Sequence, residues 1–196
     1  MTIKSRKNVI IIFTGPSGVG KGTIEKYLFA NPELRLTLSC SATTRQPRVN
    51  EIDGIHYFFI SKECFKQKIN NHEFLEYSFH FDNFYGTLYD EIDRIHNANR
   101  IPFLEIETFG AKQILNNADV HKKYKVLTFF IMPPNIEELK NRILNRNTEN
   151  ADSVEKRMQK AIDEMKDANL FEHIITNNDA LEAANEITNI IKKEIN

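Results

Sequence analysis

The chain has 196 residues, 41% of them apolar, with 26 basic and 27 acidic side chains and a formal net charge of -1. That length and apolar share fit one globular domain with room for a small insertion, and exclude a disordered chain. The even charge balance gives none of the basic excess of a general nucleic-acid binder, and two cysteines, Cys40 and Cys64, without metal-ligand spacing exclude a disulfide framework.

In chain order, Val9–Phe13 is a β-branched run that fits a strand buried on both faces, as in a parallel sheet. The run is too short for a secretory or membrane segment, so we expect a soluble, cytoplasmic protein with neither membrane nor nucleic-acid partner. A glycine-rich turn leads to a helix over about 22–29, which Asn31-Pro32 ends. A strand over 35–39 precedes a long polar stretch, 41–56, whose length marks it as a functional loop. Strand 57–60, helix 61–70 and strand 73–79 give the middle of the chain a strand-rich, aromatic texture, read as an inserted subdomain. The α/β rhythm resumes with helix 87–98, strand 101–107, helix 109–116 and strand 125–132. Pro133-Pro134 breaks the chain, and Asn135 with Glu138 makes a capping box for a helix. Asp152 and Glu155 repeat the signature before a helix over 153–169, and strand 173–176 and helix 181–193 close the chain. Alternating strands and helices predict an α/β fold with a parallel sheet core flanked by helices.

The sharpest motif is Gly15-Pro16-Ser17-Gly18-Val19-Gly20-Lys21-Gly22-Thr23, between a predicted strand and a predicted helix. That context defines a P-loop. Backbone N–H groups must converge on a polyphosphate, so side chains must be absent and unusual φ values allowed. The helix N-terminus adds partial positive charge, and Lys21 adds a mobile cation for the β and γ phosphates. The strict pattern has Ser or Thr directly after the lysine. Here Gly22 stands there, followed by Thr23, a Gly-Lys-Gly-Thr ending that resembles nucleoside monophosphate kinases rather than GTPases or motor ATPases.

A second constellation runs Thr43-Thr44-Arg45-Gln46-Pro47-Arg48-Val49-Asn50-Glu51-Ile52-Asp53-Gly54-Ile55-His56-Tyr57-Phe58-Phe59. Taken alone, two arginines in a polar loop read as a solvated pair. The full spacing, Thr-Thr-Arg-x-x-Arg-x-x-Glu-x-x-Gly-x-x-Tyr-x-Phe, closely resembles the signature of the guanylate kinase family, and the resemblance extends from the P-loop to the region of Asn177. It implies transfer of a phosphate from ATP to GMP, with dGMP as a further acceptor and Mg2+ as the cofactor carried with ATP. It implies one domain over 1–196: a core of about 1–40, 87–135 and 165–196, a GMP-binding subdomain over about 41–86, and a short helical lid over about 136–164.

Arg45, Arg48, Tyr57 and Tyr85 match positions that grip the acceptor phosphate, and two guanidinium groups with tyrosine hydroxyls suit a near-dianion. Gly86 belongs to the same segment. Glu51 is expected to orient the arginines. Glu76, with Ser41 and Thr87, matches the guanine-reading positions. A carboxylate accepts from N1–H and N2–H2 of guanine, whereas adenine presents an unprotonated N1. By sequence alone the favoured reading of Glu76 is an exposed strand residue, and only its match to the family position makes it the guanine reader.

Glu105 and Glu107 are expected at the end of a strand, on one face. There they would order magnesium-bound water or the acceptor, where the family commonly has Asp-x-Asp. Arg142, Arg146 and Arg157 match the lid arginines that close over the transferring phosphate, with Asn145 and Asn147 flanking Arg146. Lys21, Arg45, Arg142, Arg146 and Arg157 are thus the implied catalytic residues. Asn177 matches an adenine-contacting position. No direct protein ligand to the nucleotide-bound magnesium is expected, with Thr23 its nearest hydroxyl. A monomer or homodimer fits equally. A binding module without catalysis, or a kinase for another small molecule on the same scaffold, are the rival readings. The intact Gly20-Lys21 and Glu76 speak against them.

Overall fold

The structure, a computed structural model, describes residues 8–80, 82–144 and 151–195. Arg146 and its neighbours Asn145 and Asn147 lie outside the described residues.

The core is a five-stranded sheet of β1 (Val9–Thr14), β2 (Leu36–Leu38), β7 (Ile101–Glu105), β8 (Lys125–Met132) and β9 (His173–Thr176). All pairings are parallel and the order is β2-β7-β1-β8-β9, so β1 is central and fully buried. Its alternation divides the core in two. Ile11 and Phe13 face one side, with Ile24 and Leu28 of α1 (Lys21–Phe29) and Ile187 and Ile191 of α8 (Ala180–Ile195). Ile10 and Ile12 face the other, with Ile92 of α3 (Tyr89–Asn97), Ile114 of α4 (Thr108–Leu115) and Val120 of α5 (Ala118–Lys123). Each fully buried side chain of this size contributes about 1.5–3 kcal/mol of transfer free energy.

A second, mixed sheet is built from β3 (Ala42–Thr43), β4 (Phe58–Phe59), β5 (Phe74–His80) and β6 (Asn83–Leu88), in the order β4-β3-β6-β5. It has its own core, where Phe65 of α2 (Lys62–Asn70) stacks on Phe74 and Phe84 with ring centroids 4.2 and 5.1 Å apart. The chain leaves the main sheet at Ser39–Cys40, and the buried Glu91 carboxylate fixes that exit by accepting from the Cys40 N–H at 2.9 Å. Two helices, α6 (Ile136–Leu144) and α7 (Ala151–Met165), follow β8.

The parallel core and the inserted strand-rich unit agree with the sequence reading, with four corrections. Thr87 and Leu88 end a strand rather than open a helix, because they pair with Glu76 and Phe74 across β5. The predicted strand to Glu107 stops at Glu105, and Glu107 precedes the first turn of α4. Only half of the expected capping box forms. Asn135 accepts from the Glu138 N–H at 2.7 Å, but the Glu138 carboxylate turns to Arg142 Nε at 2.9 Å. The six-residue α5, with Asn117 accepting from Asp119 and Val120, escapes the sequence reading.

Candidate active site

The P-loop leaves β1 at the carboxyl end of the sheet, beside the reversal of strand order where ligands of open α/β sheets bind. Gly20, the residue before α1, has φ +102°, and a Cβ there would collide with the Asn177 side chain. Gly22 differs: a Cβ there would meet nothing within 4 Å. The Lys21 ammonium donates to the Gly15 carbonyl at 2.7 Å. Burial lowers its pKa, and the carboxylates of Glu105, Glu164, Glu25 and Glu107 oppose that shift.

Asn177 is buried, and its side-chain amide donates to the Val19 carbonyl at 2.7 Å. Arg142 donates to the same carbonyl at 3.0 Å and to the Asn177 carbonyl at 3.2 Å. Both residues were expected to touch nucleotide. The structure brings the two together at the Val19 carbonyl of the loop. Arg157 reaches the loop from α7, donating to Ser17 Oγ at 2.9 Å.

A cavity of about 710 Å³ lies over the loop. Gly15, Ser17, Gly18, Val19, Gly20, Lys21 and Gly22 form one wall, and Arg157, Lys160 and Glu164 of α7 another. Pro16 and Thr23 are not among the lining residues, and Thr23 is exposed. The far wall is Arg48, Tyr57, Glu105, Ile106 and Glu107, and these five also line a second cavity of about 330 Å³ against the mixed sheet. That second cavity holds Ser41, Arg45, Glu51, Glu76, Tyr85 and Gly86 as well. Two compartments therefore share one partition.

Glu51 grips Arg45 by two hydrogen bonds of 2.9 Å and accepts from the Arg48 N–H at 2.7 Å. Its carboxyl is held at about 2 by the Arg45 guanidinium first and the Arg48 N–H second. The Arg45 guanidinium also lies over the Tyr57 ring, 5.4 Å from its centroid. Glu51 thus orients Arg45 by its side chain, but Arg48 only through its backbone.

Glu76 lies at the floor. It is 5% exposed and accepts from the Thr87 hydroxyl at 2.7 Å. Burial pushes its carboxyl up to about 7, against the Thr87 hydrogen bonds that lower it. Gly110 admits it, since a Cβ on that turn of α4 would overlap Glu76 Oε2. Thr87 is fully buried behind the carboxylate rather than in the cavity wall.

Five side chains on these walls or behind them have no counterpart in the sequence reading. Glu25 stands one turn after Lys21 on α1. Burial and the neighbouring Glu105 push it up to about 7, and its Oε1 is buried without a hydrogen-bond partner. On α7, Lys160 bridges to Glu107 at 3.0 Å and to Glu164 at 3.7 Å. Ser78 and His80 follow Glu76 at strand spacing on β5 and line the acceptor cavity. Helical spacing from Lys21 and Arg157, and the period of two from Glu76, are the signals that pick all five out.

The five-stranded parallel sheet with its P-loop after the central strand, facing a second compartment on an inserted sheet, defines an α/β P-loop kinase fold. The guanylate kinase family profile matches residues 5–194, and the chain belongs to that family. It is 52% identical to a guanylate kinase of Mycoplasmopsis synoviae over 98% of both chains, and 53% identical to one of Mycoplasmopsis pulmonis over 98% of both. Among solved structures, it is similar to guanylate kinase from Anaplasma phagocytophilum, with a TM-score of 0.72 and 27% identity, covering 98% of this chain and 89% of that one.

Proposed function

We propose that this chain transfers the terminal phosphate of ATP to GMP, giving ADP and GDP. The observation that carries the reading is the shared partition: a P-loop compartment and an arginine–tyrosine compartment floored by a buried carboxylate meet at Arg48, Tyr57, Glu105, Ile106 and Glu107.

The assignments follow from the chemistry of each wall. The P-loop N–H groups, Lys21 and Arg157 hold and neutralise the ATP phosphates. Arg45, Arg48, Tyr57 and Tyr85 take the GMP phosphate, and Glu51 keeps Arg45 aimed. Glu76 accepts from guanine N1–H and N2–H2, with Ser41 alongside and Thr87 behind. A GMP phosphate oxygen attacks the γ phosphorus in line, the bond to the β–γ bridging oxygen breaks, and ADP leaves with that electron pair. The nucleophile is already anionic, so no general base is required. Arg142 and Asn177 act through the shape of the loop.

The donor set around Lys21 suits a hard divalent cation. Glu25, Glu105 and Glu164 offer only carboxylate oxygens, and Glu25 Oε1 and Glu164 Oε2 are buried without partners. Magnesium carried with ATP would be held near these residues, directly or through water, and supplies charge neutralisation of the phosphates. Thr23 is exposed and is not among the residues that line the cavity. Among the described residues, no three His, Cys, Asp or Glu side chains form a ready-made metal cluster.

Three working parts follow: the core, the acceptor subdomain of about 41–86, and a lid of about 136–164 that brings Arg157 and Lys160 over the cavity. We further propose that dGMP serves as acceptor, that the enzyme is cytoplasmic, and that it works as a monomer or homodimer. Among the described residues no helix is long and apolar enough to cross a membrane.

The test is ADP release from Mg-ATP with GMP, dGMP, AMP, CMP or UMP, with Lys21→Ala as control. Release with the guanine nucleotides alone, lost in the variant, supports the assignment. Release with AMP would overturn the role given to Glu76.

A further inference from the structure

The acceptor cavity contains a brace that the phosphotransfer reading does not use. Along β5, Glu76, Ser78 and His80 fall on the cavity side, whereas Tyr77 and Phe79 are exposed. Across the ladder, Ser78 pairs directly with Tyr85 of β6, so His80 is the diagonal neighbour of Tyr85. The two rings use that proximity. The His80 imidazole lies flat on the Tyr85 phenol, with centroids 4.3 Å apart and planes 6° from parallel.

One edge of the imidazole is hydrogen-bonded and the other faces a carboxylate. Nδ1 shares a hydrogen bond of 3.3 Å with Ser78 Oγ, and Nε2 approaches Glu107 Oε1 at 3.9 Å. Glu107 is itself anchored by Lys160 of α7 at 3.0 Å. Tyr85 also meets Tyr57 edge-on at 6.1 Å, and Arg45 lies over Tyr57. The rings thus form one train from His80 through Tyr85 and Tyr57 to Arg45.

We infer that His80 is a positioning residue for the acceptor phosphate: its imidazole, stacked flat on Tyr85 and hydrogen-bonded to Ser78, holds the Tyr85 ring and, through it, the tyrosine–arginine wall that receives the phosphate. The inference rests on the assignment of that wall to GMP. Tyr85 is a half-buried ring at the edge of an open cavity, and one side-chain rotation would carry its hydroxyl away from Arg45. A flat partner on its face opposes that rotation. The imidazole presents the flat face that stacking needs, which an aliphatic side chain cannot do, and its hydrogen bond to Ser78 is secondary to that face.

The experiment compares His80→Ala and His80→Phe with the unaltered enzyme, measuring KM for GMP, KM for ATP and inhibition by guanosine, which keeps the base and lacks the phosphate. A stacked ring of this kind predicts a rise of roughly two- to tenfold in KM for GMP in His80→Ala. KM for ATP and inhibition by guanosine should stay unchanged. His80→Phe, which keeps the ring face, should return most of the loss. An unchanged KM for GMP in His80→Ala overturns the inference. So does weakening of guanosine and ATP to the same degree as GMP, which marks general damage to the fold, and so does failure of His80→Phe to recover. If the unaltered enzyme shows no turnover of GMP, the assignment of the acceptor fails, a result distinct from any of these.

Discussion

Replacing Glu76 with Gln should make the protein more stable and a worse enzyme at once. In the fold its carboxyl titrates near 7, raised by burial from an ordinary value of 4.5. A raised carboxyl pKa means that the folded state binds more protons than the unfolded state between those two values. Stability therefore falls as pH rises through that window and levels off above about 7. The isosteric amide keeps an oxygen for the Thr87 hydroxyl and carries no charge to desolvate. The linkage relation gives about 3 kcal/mol of stabilisation for Glu76→Gln at pH 8, under about 1 kcal/mol at pH 5, and none well below 4.5. At about 2–4 °C per kcal/mol for a chain of this size, the melting temperature should rise several degrees at pH 8 and barely at pH 5. Activity should move the other way. The ionised carboxylate is the form that accepts two guanine N–H groups, so KM for GMP in the unaltered enzyme should rise as pH falls below about 7. The amide faces guanine N1–H or N2–H2 with a donor, and kcat/KM for GMP should drop by about a hundredfold or more. Thermal melts and GMP titrations at pH 5, 6, 7 and 8 check both halves. Equal melting temperatures at pH 8, or a KM for GMP in the unaltered enzyme that ignores pH, would refute the account of Glu76 as a desolvated base reader.

Three other perturbations separate roles within the site. Gly22→Ser should be tolerated, because its Cβ enters open space at ordinary φ, and should add a few tenths of a kcal/mol of helix stability. If nucleotide-bound magnesium lies beside it, the magnesium concentration for half-maximal rate should fall, and a folded but inactive variant would contradict the open space. Glu51→Gln loosens Arg45 and should raise KM for GMP about tenfold with little change for ATP. Equal effects on both substrates would show that Glu51 supports the whole loop rather than the acceptor grip. Arg142→Met removes the donors to the Val19 and Asn177 carbonyls and should raise KM for ATP several-fold while leaving KM for GMP alone. A loss confined to kcat would instead place Arg142 on the transferring phosphate.

What the sequence reveals here is what is close in the chain. The P-loop is legible because its glycines, its lysine and the flanking strand and helix lie within one short segment. The acceptor signature is legible for the same reason, and Arg45 and Glu51 do meet six residues apart. Arg142 and Asn177 match nucleotide-facing positions, yet their polar groups meet Val19, 123 and 158 residues away. No local pattern announces such a contact. Glu76 is ambiguous in sequence because a glutamate among Leu75, Tyr77 and Ser78 gives no sign of burial. Its environment comes from α4, where Gly110 opens the space it occupies. Strand β6 is lost in the sequence because Thr87 and Leu88 stand beside a helix start, and only the ladder with β5 assigns them to the sheet.

The acidic walls of the phosphate cavity look contrary to a site for polyanions until Lys21 is considered. Burial alone would move its ammonium toward the neutral form, and a neutral amine gives nothing to a phosphate. The carboxylates of Glu105, Glu164, Glu25 and Glu107 act in the opposite direction and help keep the proton in place. The lining then holds four cationic side chains, Lys21, Arg48, Arg157 and Lys160, against the three carboxylates of Glu105, Glu107 and Glu164. One surplus positive charge is far short of what the phosphates of ATP carry. The same carboxylates that keep Lys21 charged therefore repel a bare nucleotide and favour one that arrives with its divalent cation. ATP without magnesium should bind this cavity markedly more weakly than the complex, and neutralising Glu105 with Gln should narrow that difference. Equal affinity for ATP with and without magnesium would sink the argument.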